Sequence, residues 1–494
     1  MRYPLVCRVL IVFVLAGLAR PVAAGELDNA VRELAAVAGL APDQYGVSII
    51  DTATGAPIAE VSHQTAFIPA SNQKLLASGA ALVVLGCDFA FQTDFVIDGD
   101  RLIVRGSGDP SLGDSGVLER LTPPTSVSEL LTELTGAITD GAPESFSEIV
   151  LDDRVFDRER VHQSWPVEQL NRWYCAEVDG ITFHANVVRV FPSPSPDGPG
   201  SPPLVRLQPE MDWLTVNNRA KTIARGDTTA WVSRPRRSNS MTLFGNVPRP
   251  AVVDVATHEP SLLFGRLLAD RLEQAGHPVT NTQRFRLVEE REDTSEGRIA
   301  ARVSSPLTDI VRRCNEDSYN LYAEAMLKRI AFEVTGEPGG FESGGAVVRM
   351  TIRDLVGASA AAATIVADGS GMSRENRISP ASLTAWLDAM EAHPDAGACF
   401  LASLPTVGEG SLRNRFVSEA PEAELRAKTG SLNGVRCLSG YLTDPSSGRQ
   451  LAFSVLCNNL KAGSAHRAAR NFHERIVLLA DAWLTDQRRG AFGG

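Results

Sequence analysis

Three short polar strings stand at intervals along the chain: Ser71-Asn72-Gln73-Lys74, Ser318-Tyr319-Asn320 and Lys428-Thr429-Gly430-Ser431. Their residue types suit acyl transfer at a serine. A serine hydroxyl is a weak nucleophile until a base takes its proton, and a lysine amine becomes that base when burial or a second cation lowers its pKa. Ser71 and Lys74, at i and i+3, share one face of a helix. Lys428, across a cleft, supplies the second cation. Ser318 relays a proton between Lys74 and a leaving amine, and Asn320 bonds the substrate amide and Lys74. Gly430 lets a substrate backbone approach. The backbone N–H groups of Ser71 and Ser431 form an oxyanion hole, and Lys428 and Thr429 hold a substrate carboxylate. Each string has a bland reading: a chance S-x-x-K, an N-cap serine, a lysine decorating a strand edge. Their joint occurrence, in this order, favours the chemistry.

The elements around these strings are legible from periodicity. Tyr45–Asp51 alternates, turns at residues 52–55 and returns over Ala56–Val61, which is a hairpin pattern. Residues 71–85 are small or apolar on nearly all faces and read as a buried helix. Residues 90–297 change texture, with short strands, many prolines and a turn-rich loop at 192–203; residues 262–275 are helical. From 298 onward helices and strands alternate again, with helices at 320–332 and 345–355. Residues 425–442 and 451–458 read as strands joined by a turn near Ser447, which would set Cys437 opposite Cys457 at disulfide distance. A last helix, 465–485, carries Phe472, Ile476, Leu479 and Trp483 on one face, which suits packing against a sheet.

Composition excludes several function classes. The chain has 494 residues, 44% hydrophobic and 22% charged, with a formal net charge of −11. Such an acidic balance gives no electrostatic reason to bind nucleic acid. Arg2 and Arg8, an apolar run over 9–19 and Val22-Ala23-Ala24 read as a cleaved export signal over residues 1–24. No later segment reaches spanning length, so no stable membrane anchor is expected. The eight histidines form no metal-binding pattern, and no cofactor or metal is implied.

At these residues the chain resembles the class C low-molecular-mass penicillin-binding proteins, D-alanyl-D-alanine carboxypeptidases that also act as endopeptidases. Ile68-Pro69-Ala70-Ser71-Asn72-Gln73-Lys74 resembles the family's nucleophile segment, Gly106-Ser107-Gly108-Asp109-Pro110 its G-S-G-D-P loop, and Asp368-Gly369-Ser370-Gly371-Met372-Ser373-Arg374 its D-G-S-G-L-S-R segment. Ser318 lies 247 positions after Ser71, far more than in β-lactamases. The resemblance implies an α/β (α+β) penicillin-recognising serine transpeptidase-like domain carrying two nested, mostly-β inserted domains. Its expected division is 25–88 with 298–494 for the catalytic domain, 89–185 with 253–297 for the first insert and 186–252 for the nested one. It implies a periplasmic enzyme acting on peptidoglycan stem peptides and cross-links through an acyl-enzyme at Ser71, and acylated by β-lactams. Arg374 falls among the implied substrate-binding residues. Some relatives carry W-P-x-x-D-L, whose acid is linked to gripping a stem amine. Here Gln169 stands at that position, so Glu168, one residue earlier, is the expected grip. The rival readings are a β-lactamase or S-x-x-K esterase, and a non-catalytic cell-wall scaffold.

Overall fold

The computed structural model describes residues 26–461 and 463–491; the expected export signal lies outside the described residues. Among the described residues no helix is long and apolar enough to cross a membrane.

The two ends of the chain build one antiparallel sheet. Its strand order is Glu424–Leu432, Val435–Thr443, Gln450–Cys457, Tyr45–Asp51, Pro57–Val61. Every residue of Gln450–Cys457 is buried, as a central strand covered on both faces requires. Helices Glu26–Val37 and Ser464–Ala491 cover one face, with Phe472, Ile476, Leu479 and Trp483 turned into that core. The other face packs against the core containing helix Gln73–Leu85, whose first ten residues are all buried. Burial of each leucine there contributes about 1.5–3 kcal/mol. Helices Asn320–Thr335 and Phe341–Leu355 pack beside it.

The residues between form a second five-stranded sheet, ordered Phe285–Leu287, Glu148–Asp152, Arg101–Gly106, Ala90–Asp98, Arg298–Pro306, and three smaller sheets. Two helices, Val127–Thr139 and Pro260–Gln274, pack into its core. The first was not read from the sequence. Its signal was a capping box: Ser126 Oγ accepts from the Glu129 N–H, and the Glu129 carboxylate accepts from the Ser126 N–H. Strand Arg298–Pro306 pairs antiparallel with Ala90–Asp98, so its residues belong to the insert's sheet although the sequence division gave them to the catalytic part.

Two further expectations are corrected. The apolar stretch 425–442 is two strands, joined by a two-residue Asn433-Gly434 turn with Leu432 opposite Val435. Asn-Gly is a strong hairpin signal, and the stretch's continuous hydrophobicity hid it. In the next hairpin, Cys457 pairs with Arg436 and Cys437 pairs with Leu456. The register is one residue off the expected one, which sends the two cysteines to opposite faces: Cys437 joins the helix-side core and Cys457 the other. Both are free, while Cys87, just past the end of helix Gln73–Leu85, bonds Cys399 with Cα atoms 6.6 Å apart. This disulfide closes a 312-residue separation. Non-reducing peptide mapping is expected to return Cys87 joined to Cys399 and four thiols at 175, 314, 437 and 457. The Cys87→Ser variant should be less stable by about 2–4 kcal/mol, read as a lowered unfolding midpoint.

Candidate active site

Ser71 sits on a single 3-10 turn, Ala70–Asn72, immediately before helix Gln73–Leu85. The turn is pinned to the edge strand: Asn72 Nδ2 donates to the Lys428 carbonyl at 3.0 Å. Gly430 is required here by the packing of the turn itself. A Cβ at that position would lie 2.7 Å from Asn72 Oδ1 and 2.8 Å from the Pro69 carbonyl, so the glycine admits the nucleophile's own turn.

Lys74 is fully buried and its ammonium makes three hydrogen bonds, to Ser71 Oγ at 3.3 Å, Asn320 Oδ1 at 2.7 Å and the Ser370 carbonyl at 2.8 Å. Burial lowers its pKa, with Cys314, Glu324 and Asp368 opposing. Lys428 is also fully buried and donates to Ser318 Oγ at 2.8 Å and the Thr429 carbonyl at 2.9 Å. Its pKa falls well below the ordinary lysine range, first through burial and then through the neighbouring Lys74 charge. Burial is the first cause of the lowering at both lysines.

Ser318 adopts φ +60°, a left-handed conformation uncommon for a residue with a side chain, at the entry to helix Asn320–Thr335. Next to it, the Tyr319 ring packs 5.0 Å from Trp173 and 5.4 Å from Tyr322, with the Arg313 guanidinium 4.9 Å from its centroid. Tyr319 is thus held away from Lys74 and Lys428, as a residue between two polar partners must be. Asn320 Nδ2 donates to the Tyr174 carbonyl at 2.7 Å, which fixes its Oδ1 toward Lys74.

A cavity of 540 Å³ opens onto this group. Ser71, Ser318, Asn320, Thr429 and Ser431 line it together. Trp173, Tyr174, Arg436 and His466, which sequence reasoning missed, form a further part of its wall with Gln169 and Met372. The periodicity carried no sign of these, because they come from irregular backbone and from strand and helix ends. Five expected residues lie outside the lining: Lys74 and Lys428, which hydrogen-bond the lining residues Ser71 and Ser318, Gly430 between Thr429 and Ser431, and Arg374 and Glu168. Arg374 is exposed and donates to the carbonyl of Asn433, which does line the cavity. Glu168 is exposed, and Gln169 is the residue of the 3-10 turn Val167–Gln169 that reaches the cavity, with its Oε1 accepting from the Tyr174 hydroxyl at 3.2 Å. No carboxylate lines this cavity among the described residues. No group of three or more metal-ligating side chains is assembled among them either.

A buried amine on one serine and a second buried amine on a second serine, beside an open cavity, are suited to making and breaking an acyl-serine. The comparisons agree in kind. The D-Ala-D-Ala carboxypeptidase 3 (S13) family model matches residues 27–482. A D-alanyl-D-alanine carboxypeptidase of Actinomadura sp. (strain R39) is 31% identical over 450 residues, 86% of this chain and 79% of that protein. The D-alanyl-D-alanine carboxypeptidase DacB of Haemophilus influenzae is 23% identical over 82% of this chain and 83% of its own length. The crystal structure of penicillin binding protein 4 (dacB) from Haemophilus influenzae superposes with a TM-score of 0.71 at 20% identity, covering 90% of this chain and 99% of that one. Its fold is the penicillin-recognising serine hydrolase fold with additional β-rich domains, as expected from the sequence. The chain belongs to the D-Ala-D-Ala carboxypeptidase 3 (S13) family, and it is a serine-type D-alanyl-D-alanine carboxypeptidase.

Proposed function

We propose that this carboxypeptidase works through an acyl-enzyme at Ser71. Lys74 takes the Ser71 proton as Oγ attacks the penultimate D-alanine carbonyl. The N–H groups of Ser71 and Ser431 stabilise the oxyanion. Ser318, bonded to Lys428, passes a proton to the leaving D-alanine amine, and Lys428 and Thr429 hold the terminal carboxylate. Water then resolves the ester. The observation that carries this reading is the 3.3 Å contact of Lys74 Nζ with Ser71 Oγ, in a nitrogen otherwise held only by neutral oxygens.

The same attack on a D-alanyl carbonyl serves cross-links in peptidoglycan, so we assign endopeptidase activity to this site as well. A β-lactam amide presents the equivalent carbonyl, and the Haemophilus protein has been solved in complex with a β-lactam. We further propose export to the periplasm by a cleaved signal over 1–24, and a domain division as read from the sequence except that the return to the catalytic domain falls after Pro306, since strand Arg298–Pro306 is paired within the insert.

Ser71→Ala is expected to abolish D-alanine release and covalent labelling by a fluorescent penicillin; labelling that persists at another residue contradicts the mechanism. Lys74→Ala and Lys428→Ala should fail differently. Loss of Lys74 slows acylation of every substrate by about 10²–10⁴-fold. Loss of Lys428 raises KM most for peptides with a free terminal carboxylate, and comparison of free and amidated peptides tells the two apart. Glu168→Gln is expected to leave kcat and KM unchanged on stems with and without a free amine, because its side chain faces solvent; a raised KM confined to amine-bearing stems would restore Glu168 to the site.

A further inference from the structure

Two carboxylates, Glu324 and Asp368, are fully buried near Lys74 yet neither lines the cavity. Glu324 stands one helical turn after Asn320 on helix Asn320–Thr335. Its Oε2 accepts from the Gly369 N–H at 2.7 Å and its Oε1 from the Ser370 N–H at 2.9 Å. The carbonyl of that same Ser370 accepts from Lys74 Nζ at 2.8 Å. Asp368 shapes the loop from within, accepting from the N–H groups of Gly371 and Ser373, from Asn376 Nδ2 and from Trp165 Nε1.

The loop is wedged where only glycine fits. A Cβ on Gly369 would lie 2.6 Å from the Ala323 carbonyl, on the helix that carries Asn320. A Cβ on Gly371, at φ +81°, would lie 1.8 Å from the Ala70 carbonyl, on the turn that carries Ser71. The loop therefore spans the gap between the two elements that hold Lys74, and Glu324 supplies the hydrogen bonds that tie it to the helix.

We propose that Glu324 is a positioning residue: through the Gly369 and Ser370 amides it sets the Ser370 carbonyl on Lys74 Nζ and so fixes the proton balance of the base. This rests on the reading of Lys74 as the base. The groups facing Lys74 are Ser71 from its own segment, Asn320 and Glu324 from one helix, Cys314 from helix Leu307–Glu316, the Ser370 carbonyl and Asp368 from the loop, and Lys428 from the edge strand. Removing the Glu324 anchor loosens one of three acceptors on the ammonium, which favours the neutral amine. Loss of its negative charge acts in the same direction. Burial and the Asp368 charge push the Glu324 carboxyl up to about 8, while the two N–H donors favour the carboxylate that accepts from both. The Lys74 pKa thus falls when Glu324 is lost, and the acid limb of the activity profile moves to lower pH.

The test is Glu324→Gln in the full chain, whose side-chain NH₂ must face one of the two N–H donors. D-alanine release from a D-Ala-D-Ala peptide is followed across pH, with fluorescent-penicillin labelling of Ser71 in parallel. The plateau of kcat/KM should fall about 10–100-fold. The acid limb should move down by about one pH unit, the worth of one hydrogen bond to a charged group. A lowered plateau with an unmoved limb would make Glu324 merely structural and overturn the proposal, as would an unchanged profile. Glu324→Asp, which keeps the charge but is one methylene too short to hold both amides at these distances, should shift the limb in the same direction by less and serves if the glutamine variant does not fold. Should neither fold, amide exchange of Gly369 and Ser370 in the wild type decides: helix-like protection supports the anchor, and loop-like exchange refutes it. A wild type that neither releases D-alanine nor labels at Ser71 sinks the acyl-enzyme reading itself, which is a separate failure.

Discussion

Two lysine ammonium groups buried side by side are the constraint around which the rest of this protein is arranged. An ion taken out of water costs several kcal/mol unless it is hydrogen-bonded. Lys74 and Lys428 are both fully buried, and both find partners, but the partners are oxygens of serine, asparagine and backbone. Neutral acceptors solvate an ammonium without neutralising it, so the proton stays available. Lys328 shows the contrast. It is equally buried, but it faces the Asp157 carboxylate at 2.6 Å and the Phe341 ring at 4.4 Å, the company of a structural cation. The two settings differ in the charge of the nearest oxygen.

Meeting that constraint takes elements from the whole chain. Lys74 comes from the N-terminal third, Asn320 and Ser370 from beyond the insert, and Lys428 from the edge strand. The inserted residues contribute as well. The Tyr174 carbonyl orients Asn320, Trp165 donates to Asp368 at 2.9 Å, and Gln169 and Trp173 wall the cavity. The segment 165–175 thus reaches from the inserted part of the chain into the second layer around the base. A cavity framed this way owes its shape to both parts of the chain, and its chemistry to the sheet and helices of one.

The grouping of the candidate site residues was legible in the sequence because they are picked out by residue type and spacing. Ser71, Lys74, Ser318, Asn320, Lys428, Thr429 and Ser431 are where their types and spacing put them, around one cavity or directly behind it. The hairpin at the N-terminal end, the buried helix after Ser71 and the apolar face of the last helix followed from periodicity. The backbone's share of the site was not legible. The Ser370 and Tyr174 carbonyls are as important to Lys74 and Asn320 as any side chain, yet a carbonyl has no letter in a sequence. Glycines are its nearest proxy: Gly369 and Gly371 mark where a loop must pass close to two elements.

The remaining misreadings share one physical cause, a shift of a single residue in an element of short period. A strand repeats every two residues, so one step of register separates Cys437 from Cys457 by the full thickness of the sheet. A 3-10 turn has three residues per turn, so adjacent side chains diverge by about 120°. In Val167–Gln169 that rotation turns Gln169 to the cavity and Glu168 to solvent. The Ser71 and Lys74 pair tolerates such uncertainty better, because i and i+3 stay together whether the turn is 3-10 or α. Ser71 on a 3-10 turn and Lys74 on the following α-helix still meet at 3.3 Å, and the catalytic contact survives a boundary that the sequence did not locate.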